Sequence, residues 1–143
     1  MAQRFDGDGW TIVGPPGWVR SEERDGVSFR SAAGARLRLS SHRKKGGEVR
    51  DEDLDEVASE HLDAGAPVRD VRLGDFVGFE VDFDAEGLSC REWFLRSGSL
   101  LLLASLTREG GSRGVEDEAA ELALVSLEGE RRGPSPRPRR RRP

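Results

Sequence analysis

The chain is expected to fold as a single α+β domain: an antiparallel sheet of six or seven strands flanked by two or more helices. Three observations lead there. Residues 100–106 (LLLLASL) are apolar on both alternating sets of positions, too short for an ordinary helix, and bounded by Ser97-Gly98-Ser99 and Arg108-Glu109-Gly110-Gly111, so they read as a central strand covered on both faces. Residues 76–84 alternate strictly, with Val77, Phe79, Val81 and Phe83 on one face, as a half-buried strand does. Residues 51–64 repeat apolar positions at helical spacing.

The 143 residues suit one domain, and a core of that size needs no metal or disulfide. Residues 1–130 form the expected domain and residues 131–143 an arginine- and proline-rich tail with nothing to bury, expected to be disordered. Charge divides at the same point. Residues 1–130 hold 27 Asp and Glu against 16 Lys and Arg, while the tail holds seven Arg and no acid. An acidic body is a poor ligand for nucleic acid or anionic lipid, and the tail lacks an aromatic residue to stack on bases. One cysteine and an N-terminal stretch without the basic and apolar regions of a signal peptide point to a cytoplasmic protein.

Residues 10–13 read as the first strand, ended by Gly14-Pro15-Pro16-Gly17, where proline fixes φ and cannot donate to a ladder. Residues 18–20 and 27–29 flank an Asp25-Gly26 hairpin signal, and residues 36–40 alternate with Leu37 and Leu39 inward. His42-Arg43-Lys44-Lys45-Gly46-Gly47 is a basic connection. The helix over 51–64 places Leu54, Val57, Ala58, His61 and Leu62 on one stripe, with Asp51, Glu52 and Asp53 in its acidic first turn.

Residues 68–73 form the next strand, before the alternating strand 76–84 and its return over 88–96. A three-residue loop, Ala85-Glu86-Gly87, sets Val77 and Phe79 opposite Leu95 and Trp93 and keeps Glu92 off the apolar face, where an unpaired carboxylate is costly. After the central strand, residues 115–127 form a second helix with Val115, Ala119, Leu122, Ala123, Ser126 and Leu127 inward, and Gly129 after its end.

No catalytic set emerges. His42 lies on the basic loop and His61 on a buried helical stripe. Cys90 stands alone, although the neighbouring Arg91 suggests a slightly lowered thiol pKa. The dense carboxylates Glu80, Asp82, Asp84, Glu86 and Glu92 surround one hairpin without wrapping a loop about a cation, and the glycine pairs lack the elements of a phosphate-binding loop. No cofactor and no metal are expected.

The order of these elements resembles the PsbP-like superfamily, and within it the DcrB-like bacterial branch. The resemblance runs over residues 8–128: Trp10-Thr11-Ile12 leading to Pro16-Gly17-Trp18, the hairpin through Val27-Ser28-Phe29 and Leu37-Arg38-Leu39, one acidic helix, three long strands, and a last helix ending in Val125-Ser126-Leu127. It implies a scaffold that mostly binds proteins and transfers no catalytic residue. The expected function is therefore a non-catalytic protein-binding module, an adaptor or a chaperone, with a secretion effector as one class of client. The expected partner-binding groove, for a protein or peptide segment with basic flanks, comprises Phe76, Phe94 and Leu101 with an acidic rim at Glu80 and Glu92. No membrane insertion is expected. The alternatives are a small hydrolase or metal-dependent enzyme using Glu80, Asp82 and Glu92, and a nucleic-acid-associated protein acting through the tail.

Overall fold

A computed structural model describes residues 3–109 and 114–129. Two short strands, β1 (Gln3–Asp6) and β2 (Thr11–Gly14), pair as a separate antiparallel ribbon. The chain then forms β3 (Val19–Glu23), β4 (Gly26–Arg30), β5 (Arg36–Arg43), α1 (Asp51–Val57), α2 (Ser59–Asp63), β6 (Val68–Leu73), β7 (Phe76–Ala85), β8 (Leu88–Ser97), β9 (Leu100–Glu109) and α3 (Val115–Val125). The seven strands from β3 onward make one antiparallel sheet in the order β3-β4-β5-β9-β8-β7-β6. The expected α+β class and strand number hold. The leucine run is the fourth of the seven strands, at the centre of the sheet.

The sheet carries a different layer on each face. On one face α3 and the β1–β2 ribbon pack against Phe29, Leu37, Leu39, Phe76, Trp93, Leu95, Leu100, Leu102 and Leu106. On the other, α1, α2 and Val49 cover Phe79, Val81 and Phe94. Arg96 donates to Asp51 across 2.9 Å, which fixes the start of α1 on β8. Among the described residues, α1 and α2 reach no further than the β6–β9 half of this face. The β3–β5 half is left to Ser21, Ser28, Arg30, Arg36, Arg38, Ser40 and His42, which suits an antiparallel sheet with one solvated side.

Several expectations are corrected. The β7–β8 loop has two residues, not three: Ala85 pairs with Leu88, so Val77 faces Arg96, Phe79 faces Phe94 and Val81 faces Glu92. Glu86 and Gly87 take φ of 53° and 80°, the left-handed pair that a tight hairpin matching the twist of its strands requires. Glu92 is accommodated on the apolar face because His61 reaches it from α2, Nε2 to Oε1 at 3.1 Å.

The helix over 51–64 is interrupted at Ala58, and Val57 points to solvent. Helix α3 is rotated from the expected stripe. It buries Asp117, Ala120, Ala123 and Leu124 and leaves Val115 and Leu122 exposed. The ribbon strand β1 had no signal in the alternation of the sequence. Residues 110–113 and the tail 131–143 lie outside the described residues, as does the proposed domain end at residue 130.

Candidate functional site

The expected groove residues do not share one surface. The two-residue hairpin turns Phe76 and Glu80 toward α3, where both are buried, and Glu92, Phe94 and Leu101 toward α1 and α2. Glu80 and Asp82 therefore stand on the opposite side of the sheet from Glu92, so the three carboxylates form no common centre. Among the described residues, no cluster of three or more His, Cys, Asp or Glu side chains is placed to hold a metal ion.

Two sites remain to be built from these residues. The first is a trough along the outer face of β9, between β5 and the layer formed by α1, α2 and β8. Leu101 and Leu103 point out of β9 on the face that α1 only partly covers, and they form its floor. At one end a groove of about 470 Å³ is lined by His42, Arg43, Lys44, Val49, Asp53, Glu56, Val57 and Leu101. At the other a smaller depression of about 160 Å³ lies among Arg38, Ser40, Glu92, Phe94, Leu103 and Ser105. The β5 wall is cationic and hydroxylic; the wall of α1 and β8 is acidic. The rim is thus acidic on one side alone, where a uniformly acidic one was expected.

The walls are held by ion pairs. Lys44 Nζ meets Asp53 Oδ2 at 2.8 Å beside the larger groove, and this bond, followed by the backbone N–H of Arg50, holds the Asp53 carboxyl below its usual range. Glu23 accepts from Arg38 Nε at 2.7 Å and from Arg36 Nη2 at 2.9 Å, and Arg38 is the chief cause of its lowered pKa. His61 stacks on Phe83 with ring centroids 4.3 Å apart while it holds Glu92. Phe94, stacked on Phe79 at 5.4 Å, closes the trough beneath α2.

The second is a buried charge network beneath α3, which reading the sequence for motifs had missed. Glu80, Arg91 and Asp117 are each no more than 3% exposed. Arg91 donates to both carboxylate oxygens of Glu80 (2.9 and 3.1 Å) and to Asp117 Oδ2 (3.1 Å), and its Nη1 lies 2.8 Å from Glu121. Its guanidinium also sits 4.9 Å from the ring centre of Trp93. Arg108 contacts the other oxygen of Asp117 at 2.6 Å, and Arg69 reaches Glu80 at 2.7 Å. Burial alone would raise the Glu80 pKa; the hydrogen bonds from Arg91, with Asp82, the Arg91 charge and Arg69 behind them, outweigh it and bring the value to about 2. Burial likewise opposes the Arg91 charge, and Glu80 outweighs it, so the guanidinium titrates even higher than usual.

This network explains the rotation of α3. Any rotation that buried Val115 and Leu122 would withdraw Asp117 from Arg91 and Arg108 and break two ion pairs that lie beneath the helix. A signal was present in the sequence. Under the two-residue loop Glu80, Asp82 and Arg91 share a face, and a basic residue among acidic ones on an inner face calls for buried pairing. Cys90, by contrast, points away from Arg91, because successive strand residues alternate. Burial pushes its thiol pKa up, reinforced by Glu92 and Asp84, which reverses the expectation of a lowered one.

No family model and no curated protein matches the chain. Among solved structures, a protein from Bacteroides thetaiotaomicron superimposes with a TM-score of 0.62 at 18% identity, covering 85% of this chain and 45% of that one. The chain therefore spans under half the length of that relative, and at this identity the likeness is one of fold alone. PsbP (CyanoP) from Synechocystis sp. PCC 6803 superimposes with a TM-score of 0.45 at 13% identity over 90% of this chain and 92% of that one. Among the described residues no helix is long and apolar enough to cross a membrane.

Proposed function

We propose that this chain is a small non-catalytic protein-binding module, adaptor or chaperone in kind, whose trough along β9 takes up a segment of another protein. One observation supports the reading above others: the central strand of the sheet, which packing should cover on both faces, leaves Leu101 and Leu103 only partly buried at the bottom of a trough walled by opposite charges. Apolar floors with charged rims are how peptide grooves combine affinity with orientation. The partner segment sets apolar side chains on Leu101 and Leu103, acidic groups toward Arg38 and His42, and basic groups toward Glu56 and Glu92. We place the protein in the cytoplasm, in the DcrB-like branch of the PsbP-like proteins, with a secretion effector as one class of client.

The test is position-specific photocrosslinking in cells expressing the full chain. A benzophenone amino acid at Val57, exposed on the trough rim, is compared with one at Leu88, exposed at the far hairpin. The expected result is a discrete adduct from Val57 that is absent from Leu88 and is lost when Leu103→Arg is added to the same chain. Identical adducts from both positions, or none from Val57, overturn the reading.

A further inference from the structure

The seven-stranded sheet ends at β6, which has one strand neighbour among the described residues, β7. The ladder fixes which way each backbone group of this edge points. Pro67 continues the register in which Val68 faces Val81, so it stands opposite Asp82, whose N–H donates to the Pro67 carbonyl across 3.3 Å. Hydrogen-bonded pairs alternate with non-bonded ones along an antiparallel ladder. Arg69, Val71 and Leu73 therefore turn their backbone groups toward β7, and Val68, Asp70 and Arg72 turn theirs to the outer edge of the sheet.

The opposite edge is treated differently. Arg20 of β3 donates to the Arg4 carbonyl at 2.9 Å, and the Gln3 side-chain amide donates to the carbonyl of Trp18, so β1 is laced alongside β3. Four of the five β3 residues are charged or hydroxylic, a composition that discourages strand addition. In β6, Val68, Val71 and Leu73 make half of the strand apolar.

A second copy of β6 laid antiparallel on this edge sets outward residues opposite outward residues, and charge separates the registers that do so. Centres at Arg69, Asp70 or Arg72 each place that residue against its own copy, where like charges destabilise a ladder. A centre at Val68 or Leu73 overlaps no other residue of the strand. The centre at Val71 differs from all of these: Val71 meets Val71, and Asp70 meets Arg72 on both sides of the axis. Asp70 and Arg72 share the sheet face of Phe79, so the four side chains form a square of alternating charge. Each carboxylate has one guanidinium two residues along its own strand and another directly across.

We infer that β6 is a docking edge and that its occupant is β6 of a second copy, joined antiparallel about a twofold axis at Val71. The axis stands perpendicular to the sheet, so two seven-stranded sheets become one continuous sheet. Both α3 layers lie on one side of it, and both β9 troughs open on the other. Seven strand spacings separate the two β9 strands, a distance of roughly 34 Å along the sheet. The contact is small and partly ionic, which makes the association reversible and weaker at high salt.

The experiment is sedimentation equilibrium of the full chain over a range of concentrations, for the parent, for Asp70→Arg, for Arg72→Asp, and for an equimolar mixture of these two variants. Each substitution alone sets like charges across the axis, whereas the mixture restores opposite charges at both positions. The expected result is a parent monomer–dimer equilibrium whose association constant falls at least tenfold in either variant alone and recovers in the mixture. A second readout does not depend on those variants folding. Val71→Cys places a thiol beside its own copy, so under mild oxidation it should form a covalent dimer at least tenfold faster than Arg69→Cys, whose copies lie apart in this register. A parent that stays monomeric, a dimer that neither charge substitution weakens, or a mixture that does not recover overturns the inference. Equal rates from the two cysteine variants overturn it as well. Mass that grows beyond the dimer overturns the choice of occupant, since it reports open head-to-tail pairing of β6 with β3.

Discussion

Replacing Arg91 with methionine isolates the network that seats α3. The substitution keeps most of the side chain's length and its packing on Trp93 while removing the one cation shared by Glu80, Asp117 and Glu121. Glu80 then keeps Asp82 and Arg69, whose side chain is largely exposed, and Asp117 keeps Arg108. Breaking a buried ion pair from one side costs ~3–5 kcal/mol, because the remaining charge is uncompensated. That is a large part of a typical total of ~5–15 kcal/mol. For a domain of this size it corresponds to a fall of ~10–20 °C in Tm. Urea unfolding followed by tryptophan fluorescence measures the loss.

The pH dependence adds a second reading. In the parent, Glu80 titrates at about 2 when folded against 4.5 when unfolded, so its contribution is present above pH 4.5 and drains away as pH falls toward 2. In the variant this lowering is lost, so the gap between parent and variant should be widest at neutral pH and shrink below pH 4.5. The further change Glu80→Gln with Asp117→Asn should recover part of the loss. A variant within 1 kcal/mol of the parent at pH 7, or a gap that does not change between pH 7 and 3, refutes the argument.

Four other outcomes follow from the same fold. Leu102→Asp should prevent folding, since Leu102 is fully buried, whereas Leu103→Asp, at a partly buried position beside Arg38, should fold with a loss of ~2 kcal/mol or less, as judged by circular dichroism melts. Gly78→Ala should destabilise the sheet by ~2 kcal/mol or more in urea unfolding, because a Cβ there would lie 1.9 Å from the Phe94 carbonyl oxygen. Glu86→Asn should instead stabilise by ~0.5–1 kcal/mol, as asparagine tolerates the φ of 53° at that hairpin position better than glutamate; a loss of stability would count against the turn geometry. Cys90, buried and with its thiol pKa pushed up, should alkylate with iodoacetamide at pH 8 far more slowly in the native chain than in urea; equal rates would show the thiol to be open.

Residues 68–106 show what could be read from local pattern. The alternation of Val77, Phe79, Val81 and Phe83, the apolar run at 100–106 and the acidic first turn at Asp51 are local signals, and local sterics and burial suffice to make strands and a helix of them. Together with turn residues at each boundary they determined the α+β class, the antiparallel sheet and the central place of β9. Only the assembled structure could decide register and rotation. The two-residue β7–β8 loop turns Glu92 to the face that α2 covers, where His61, 31 positions away, pairs with it. Which face of α3 turns inward depends on Arg91 finding Asp117, 26 positions away. Both choices concern charged groups, whose burial is costly or acceptable according to a partner that the chain brings near only by folding. The outward faces of β9 and α3 follow from those two choices, so neither could be located before the partners were.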